Sequence, residues 1–167
     1  MRKKRMETSL PSLTAEVIRA VRLEEVDALG IMWHGRYPSW FEDGREALGR
    51  HYGIHYLDFH AQGVVAPIKK MTMEFIAPLR YGATCSIAAS LLWSDAARMD
   101  WEYRIFSLPD RRLHTLAQST QLFVDAAGSL LLDFPPFYKE FRSRWKEGLL
   151  PPPPKPLLNF VQENVLP

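Results

Sequence analysis

A period of two runs through the middle of the chain. In "RMDWEYRIFSL", Met99, Trp101, Tyr103 and Ile105 alternate with Asp100, Glu102 and Arg104. That spacing sends one face of a β-strand into a core and the other into water. "TCSIAASLLW" alternates Cys85, Ile87, Ala89 and Leu91 with smaller residues, and "VVAPIKKMTMEFIAPL" puts Met71, Met73 and Phe75 on one face. "LHTLAQSTQLFVD" is a fourth run of the same type. The turn segments "SDAA", "LPDRR" and "DAAGS" punctuate the last three runs, and such short connections predict an antiparallel meander. A further strand is expected earlier, over residues 15–23, where the alternation is only partial.

Between that first strand and the other four the period changes. Tyr37, Trp40, Phe41, Gly44, Leu48 and Tyr52 trace one face of a helix. Pro38 suits the first turn, where a missing N–H matters least. Glu42, Asp43 and Glu46 precede Arg50 and His51, the order a helix dipole favours, and Gly53 is a natural stop. A short helix is expected near "PPFYKEFRSRW". The class is therefore α+β, with about five antiparallel strands and one long helix burying each other's apolar faces. A sheet covered on one side only leaves room for a partner subunit.

Composition narrows the function classes. The chain has 167 residues, 47% hydrophobic and 24% charged, enough for one domain with a real core. A net charge of +2 without a clustered basic face predicts no nucleic-acid partner. No apolar run of signal length follows the basic "MRKKRMETSL", so neither a secretory signal nor a membrane span is expected. A lone cysteine, Cys85, supplies neither an internal disulfide nor a Cys-rich zinc site, and cytoplasm is the expected compartment. The predicted organisation is a flexible basic N-terminus (1–13), a domain (14–147) and a Pro-rich C-terminal arm (148–167). Pro151 to Pro154 favour an extended arm, with Leu157, Leu158, Phe160 and Val161 as anchors. A disordered tail or a proline-recognition ligand are the other readings of that arm.

The candidate chemistry lies ahead of the long helix. Asp27 in "VDALG" reads on its residues either as a turn aspartate or as a catalytic carboxylate. His51, His55 and His60 have no matched spacing with acids, so no metal is expected. A glycine-rich phosphate loop and the G-x-S-x-G elbow of serine hydrolases are both missing.

The segment "VDALGIMWHGRYPSWFEDGR" resembles the signature of hotdog-fold acyl thioesterases of the 4-hydroxybenzoyl-CoA thioesterase and YbgC-like branch. The matching positions are Asp27, Gly30, His34, Tyr37, Glu42 and Arg45, and "IAPLRYGA" resembles a second family segment. Departures are Glu25 in place of an aspartate, Arg36 in place of an asparagine, Ala83 in place of an acid, and Leu23 where some members carry tyrosine. The resemblance implies a hotdog fold and hydrolysis of an acyl-CoA or related thioester to a free acid and a thiol. It implies Asp27 as nucleophile or general base, since an attacking group is needed at the carbonyl carbon. It implies that His34 and the exposed N–H groups at the helix start hold the oxyanion.

For the substrate, the resemblance implies Gly30, Trp33 and Tyr37 near the reacting centre and Pro67 and Ile68 along the acyl pocket. Arg98 is either a contact for coenzyme A phosphates or a solvated hairpin charge. Glu42 is the rival acid, because another hotdog branch uses a helical carboxylate; pairing with Arg45 is its other reading. No cofactor is expected beyond coenzyme A as part of the substrate. A homodimer or homotetramer is implied, with each site built between subunits. The alternatives are an acyl-carrier-protein thioesterase, a dehydratase on the same fold, or a non-catalytic acyl-binding protein.

Overall fold

The computed structural model describes residues 10–158. Strand β1 (Leu13–Ala20) leads to helix α1 (Tyr37–Tyr52), short helix α2 (Tyr56–Ala61), β2 (Val64–Val65) and β3 (Ile68–Phe75). Then come β4 (Thr84–Leu92), β5 (Arg98–Ser107), β6 (Leu113–Leu122), β7 (Val124–Asp125), α3 (Pro136–Lys146) and β8 (Leu157–Leu158). The main sheet runs β3-β6-β5-β4-β1-β8, and β2 pairs separately with β7. Among the described residues only the β1–β8 pair is parallel.

β4, β5 and β6 form the expected meander. β3 does not join it at β4, because β1 fills that edge from Leu13↔Leu91 to Ala20↔Thr84. It pairs with β6 at the opposite side instead. The first strand also ends earlier than the sequence predicts. Val21 leaves the ladder to bond the carbonyl of Ala83, and Leu23–Glu25 close into a tight helical turn.

All six residues of the α1 stripe are buried. Against them lie the buried alternate positions of β4 and β5, with Phe41 stacked on Tyr103 at 4.7 Å between centroids. Burying rings of this size is the main force docking the helix on the sheet. The separation is set by a missing side chain, since a Cβ on Gly44 would lie 2.8 Å from the Cβ of Ala89. At the far end Gly53, at φ 72°, returns its N–H to Gly49 and stops the helix. β3 is less covered: Met71 and Met73 are half-buried and Phe75 is exposed.

After α3 the chain passes the end of α1, where His51 donates from Nε2 to the carbonyl of Pro152 at 2.7 Å. Leu157 and Leu158 then pair with Val17 and Ile18. Phe160 and Val161, and the N-terminal residues 1–9, lie outside the described residues.

Candidate active site

The loop from β1 to α1 is tied down by an acid that the sequence marks only as a departure from the family signature. Glu25 is 3% exposed. Its carboxylate accepts from Arg19 at 3.0 Å, from the Trp40 indole N–H at 2.8 Å and from the backbone N–H of Arg22 at 2.9 Å. Its carbonyl accepts the N–H of Trp33 at 2.8 Å. A buried carboxylate is tolerated only when donors surround it. The signal available beforehand was Trp40, an indole on the buried stripe whose N–H needs an acceptor. Arg19 also bonds Asp43 at 2.6 Å, yet burial still pushes the Asp43 carboxyl above its ordinary range.

Beyond Glu25 the chain makes a turn with Asp27 at its first corner. The Asp27 N–H donates to the Ile31 carbonyl, the Asp27 carbonyl accepts from Gly30 N–H, and Oδ1 accepts from Leu29 N–H at 2.8 Å. Gly30 sits at φ 70°, where a side chain would be strained. Oδ2 has no hydrogen-bond partner among the described residues. The Val26↔Met32 bridge and the Trp33–Glu25 bond bring the chain straight back to the start of α1.

There the backbone turns through His34–Arg36 into the helix. The N–H groups of His34 and Gly35 have no intrahelical acceptor, and none of the backbone bonds tying this loop down uses them. The Trp33 ring lies over Gly35, where its ring carbons occupy the space a Cβ would need, and its centroid is 5.1 Å from that of His34. Gly35 is thus a residue the sequence reading missed. Tyr37 is buried edge-on to Phe75 at 4.9 Å, and burial raises its phenol above the ordinary range.

A cavity of about 350 Å³ opens further along the helix, between α1, α2 and strands β3, β5 and β6. Glu42, Arg45, His55, Ile68, Trp101 and Gln121 are on its wall. Of the expected site residues, Ile68 and the rival acid Glu42 are there. Asp27, Gly30, Trp33, His34 and Tyr37 form a separate group at the helix start, outside the cavity lining. Pro67 and Arg98 flank the lining residues Ile68 and Met99; the Pro67 carbonyl accepts from Leu122 N–H, and Arg98 bonds Asp100 at 2.7 Å. That ion pair favours the solvated-hairpin reading of Arg98. Glu42 lies 3.9 Å from Arg45 with 72% of its side chain exposed.

The sequence matches the family described as "Thioesterase-like superfamily" over residues 21–144. The chain belongs to the thioesterase-like superfamily. It is similar to the "Putative acyl-CoA thioesterase YneP" of Bacillus subtilis, 27% identical over 128 residues, 77% of this chain and 92% of that protein. Its structure resembles Slr0204, a 1,4-dihydroxy-2-naphthoyl-CoA thioesterase from Synechocystis, with a TM-score of 0.70 at 16% identity over 80% of this chain and 98% of the other. A DHNA-CoA thioesterase from Staphylococcus aureus gives 0.70 at 19% identity over 87% and 99%. At those identities the structures share the fold, which is the hotdog fold the sequence predicts. Among the described residues of this thioesterase-like chain, no helix is long and apolar enough to cross a membrane.

Proposed function

We propose that the protein hydrolyses acyl-CoA thioesters to a carboxylic acid and free coenzyme A, with Asp27 as the attacking or activating carboxylate. The observation that carries this reading is one hairpin with a free carboxylate oxygen at its tip and unused N–H groups at its base. Asp27 supplies the first, and His34 and Gly35 supply the second.

As general base, Asp27 takes a proton from water while the oxygen adds to the thioester carbon. As nucleophile, it forms a mixed anhydride that water then opens. In both routes charge builds on the carbonyl oxygen, where the N–H groups at the positive helix end stabilise it. The C–S bond then breaks and the thiolate is protonated. Single-turnover hydrolysis in ¹⁸O-water tests for the anhydride, because label in the Asp27 carboxylate arises only when water opens a mixed anhydride on the aspartyl side.

The site residues assemble in this reading as a homodimer. Among the described residues β3 is hydrogen-bonded on one side only, whereas β8 pairs with β1 at the opposite edge of the sheet. Ile68, Phe75 and Ile76 are exposed along that open edge. A cytoplasmic site of action fits the reading, as Cys85 is free and buried. Pairing thiol release from acyl-CoA with release from acyl-carrier protein decides the carrier.

A second reading has one observation behind it: Glu42, not Asp27, lines the cavity. In that case the helical carboxylate attacks. Asp27→Asn and Glu42→Gln assayed side by side decide between them, because the variant that loses turnover marks the acid.

A further inference from the structure

The cavity beside α1 holds polar groups that a plain hydrocarbon chain leaves unanswered. Arg45 stands on its wall with 15% of its side chain exposed, and its Nε is buried without a partner. Among the described residues its one ion-pair partner is Glu42, which is beyond hydrogen-bond length at 3.9 Å and faces water. The other acid on the wall, Glu46, is already paired with Arg50 at 2.8 Å. From β5 the indole N–H of Trp101, a residue 3% exposed, is also buried with no acceptor.

His55 adds no donor to this pair: its Nδ1–H is given to the Asp58 carboxylate at 2.5 Å, which leaves the other nitrogen of the neutral ring as an acceptor. Gln121 likewise spends its amide N–H on the Ala66 carbonyl. A guanidinium without a committed counter-charge and a buried indole N–H without an acceptor both cost free energy that an entering anion would offset.

We propose that this cavity recognises a carboxylate at the far end of the acyl group, so that the preferred substrates are mono-thioesters of short dicarboxylic acids. The proposal rests on the thioesterase reading and names its substrate class. Arg45 is eight residues beyond Tyr37, about 12 Å along the helix axis, and a long helical side chain leans back toward the helix start. An acyl chain of about four to six carbons spans what remains between the reacting carbonyl and the guanidinium. The cavity volume of about 350 Å³ suits a ligand of that size. Arg45 and Trp101 are specificity residues here; neither takes part in the bond-breaking step.

Thiol release is measured with glutaryl- and adipyl-CoA against pentanoyl- and hexanoyl-CoA, on wild type, Arg45→Met, Arg45→Lys and Trp101→Phe. In wild type kcat/KM is expected to favour the dicarboxyl esters at least about tenfold. The ratio should collapse toward one in Arg45→Met, survive in part in Arg45→Lys, and shrink in Trp101→Phe. Equal or better turnover of the neutral esters by wild type overturns the proposal. So does a preference that persists in Arg45→Met, or a KM that rises equally for all esters, which would place Arg45 on the coenzyme instead. Calorimetric titration with glutarate keeps the two readings apart. Saturable binding weakened by Arg45→Met, without turnover of any thioester, upholds the carboxylate site and refutes the hydrolase; absence of both binding and discrimination refutes the site whatever the turnover.

Discussion

The indole N–H of Trp40 donates to the Glu25 carboxylate at 2.8 Å, joining the Leu23–Glu25 turn of the loop to the buried stripe of α1. That bond fixes the helix start relative to the hairpin carrying Asp27, so it positions the proposed site without touching substrate. Glu25→Ala is expected to cost about 3 kcal/mol, because Trp40 and Arg19 lose a buried acceptor together. Urea unfolding measures this. Trp40→Phe removes one donor and keeps the ring, and should cost about 1 kcal/mol.

Gly44 is expected to resist the substitution that helix propensity favours. Alanine gains about 1 kcal/mol in a helix interior, whereas overpacking a core costs about 1–3 kcal/mol. With its Cβ placed 2.8 Å from that of Ala89, the packing term wins. Gly44→Ala should lower the thermal midpoint, and Gly44→Ala with Ala89→Gly should recover part of the loss.

Gly35 should behave differently. The atoms nearest a Cβ there belong to the Trp33 ring, and Trp33 is 47% exposed, with room to swing outward. Gly35→Ala is expected to change stability by less than about 1 kcal/mol, yet to lower kcat by about tenfold through displacement of the indole from the helix start. Parallel unfolding and thiol-release measurements check the split.

Glu16 gives a pH signature. Arg111 reaches both its oxygens, at 2.9 and 3.2 Å, and Ser86 donates at 2.6 Å. The Arg111 hydrogen bonds, opposed by burial and helped by Ser86, hold the carboxyl below the ordinary glutamate range. A lowered folded-state value stabilises the fold above the unfolded-state value and loses that contribution as pH falls through the folded one. Arg111 is 47% exposed, so screening limits the contribution at neutral pH to about 0.5–1 kcal/mol. Glu16→Gln should be less stable than wild type at neutral pH, and the gap should close as pH falls from about 5 to about 3. Urea midpoints across that range test it.

The legible part of this protein was whatever carried a long period. Six stripe residues from Tyr37 to Tyr52 marked α1, with Gly53 as its stop, and the Met99–Ile105 alternation marked β5. Short elements carried no such period: α2 buries only Phe59, and β2, β7 and β8 are two residues each. β3's pairing with β6 was hidden because strand order depends on which edge β1 occupies, and that is a long-range contact. At the site, Asp27 and His34 stood out by residue type. Glu25 and Gly35 did not, because one acts through a buried indole fifteen residues away and the other through the side chain it lacks.

The most direct measurement of the central claim is thiol release by Asp27→Asn, with circular dichroism confirming that the variant keeps its fold. In Asp27→Asn kcat on acyl-CoA should fall at least about a hundredfold, with Glu42→Gln retaining most activity. Undiminished turnover in Asp27→Asn would contradict it, and loss in Glu42→Gln alone would move the chemistry to the cavity.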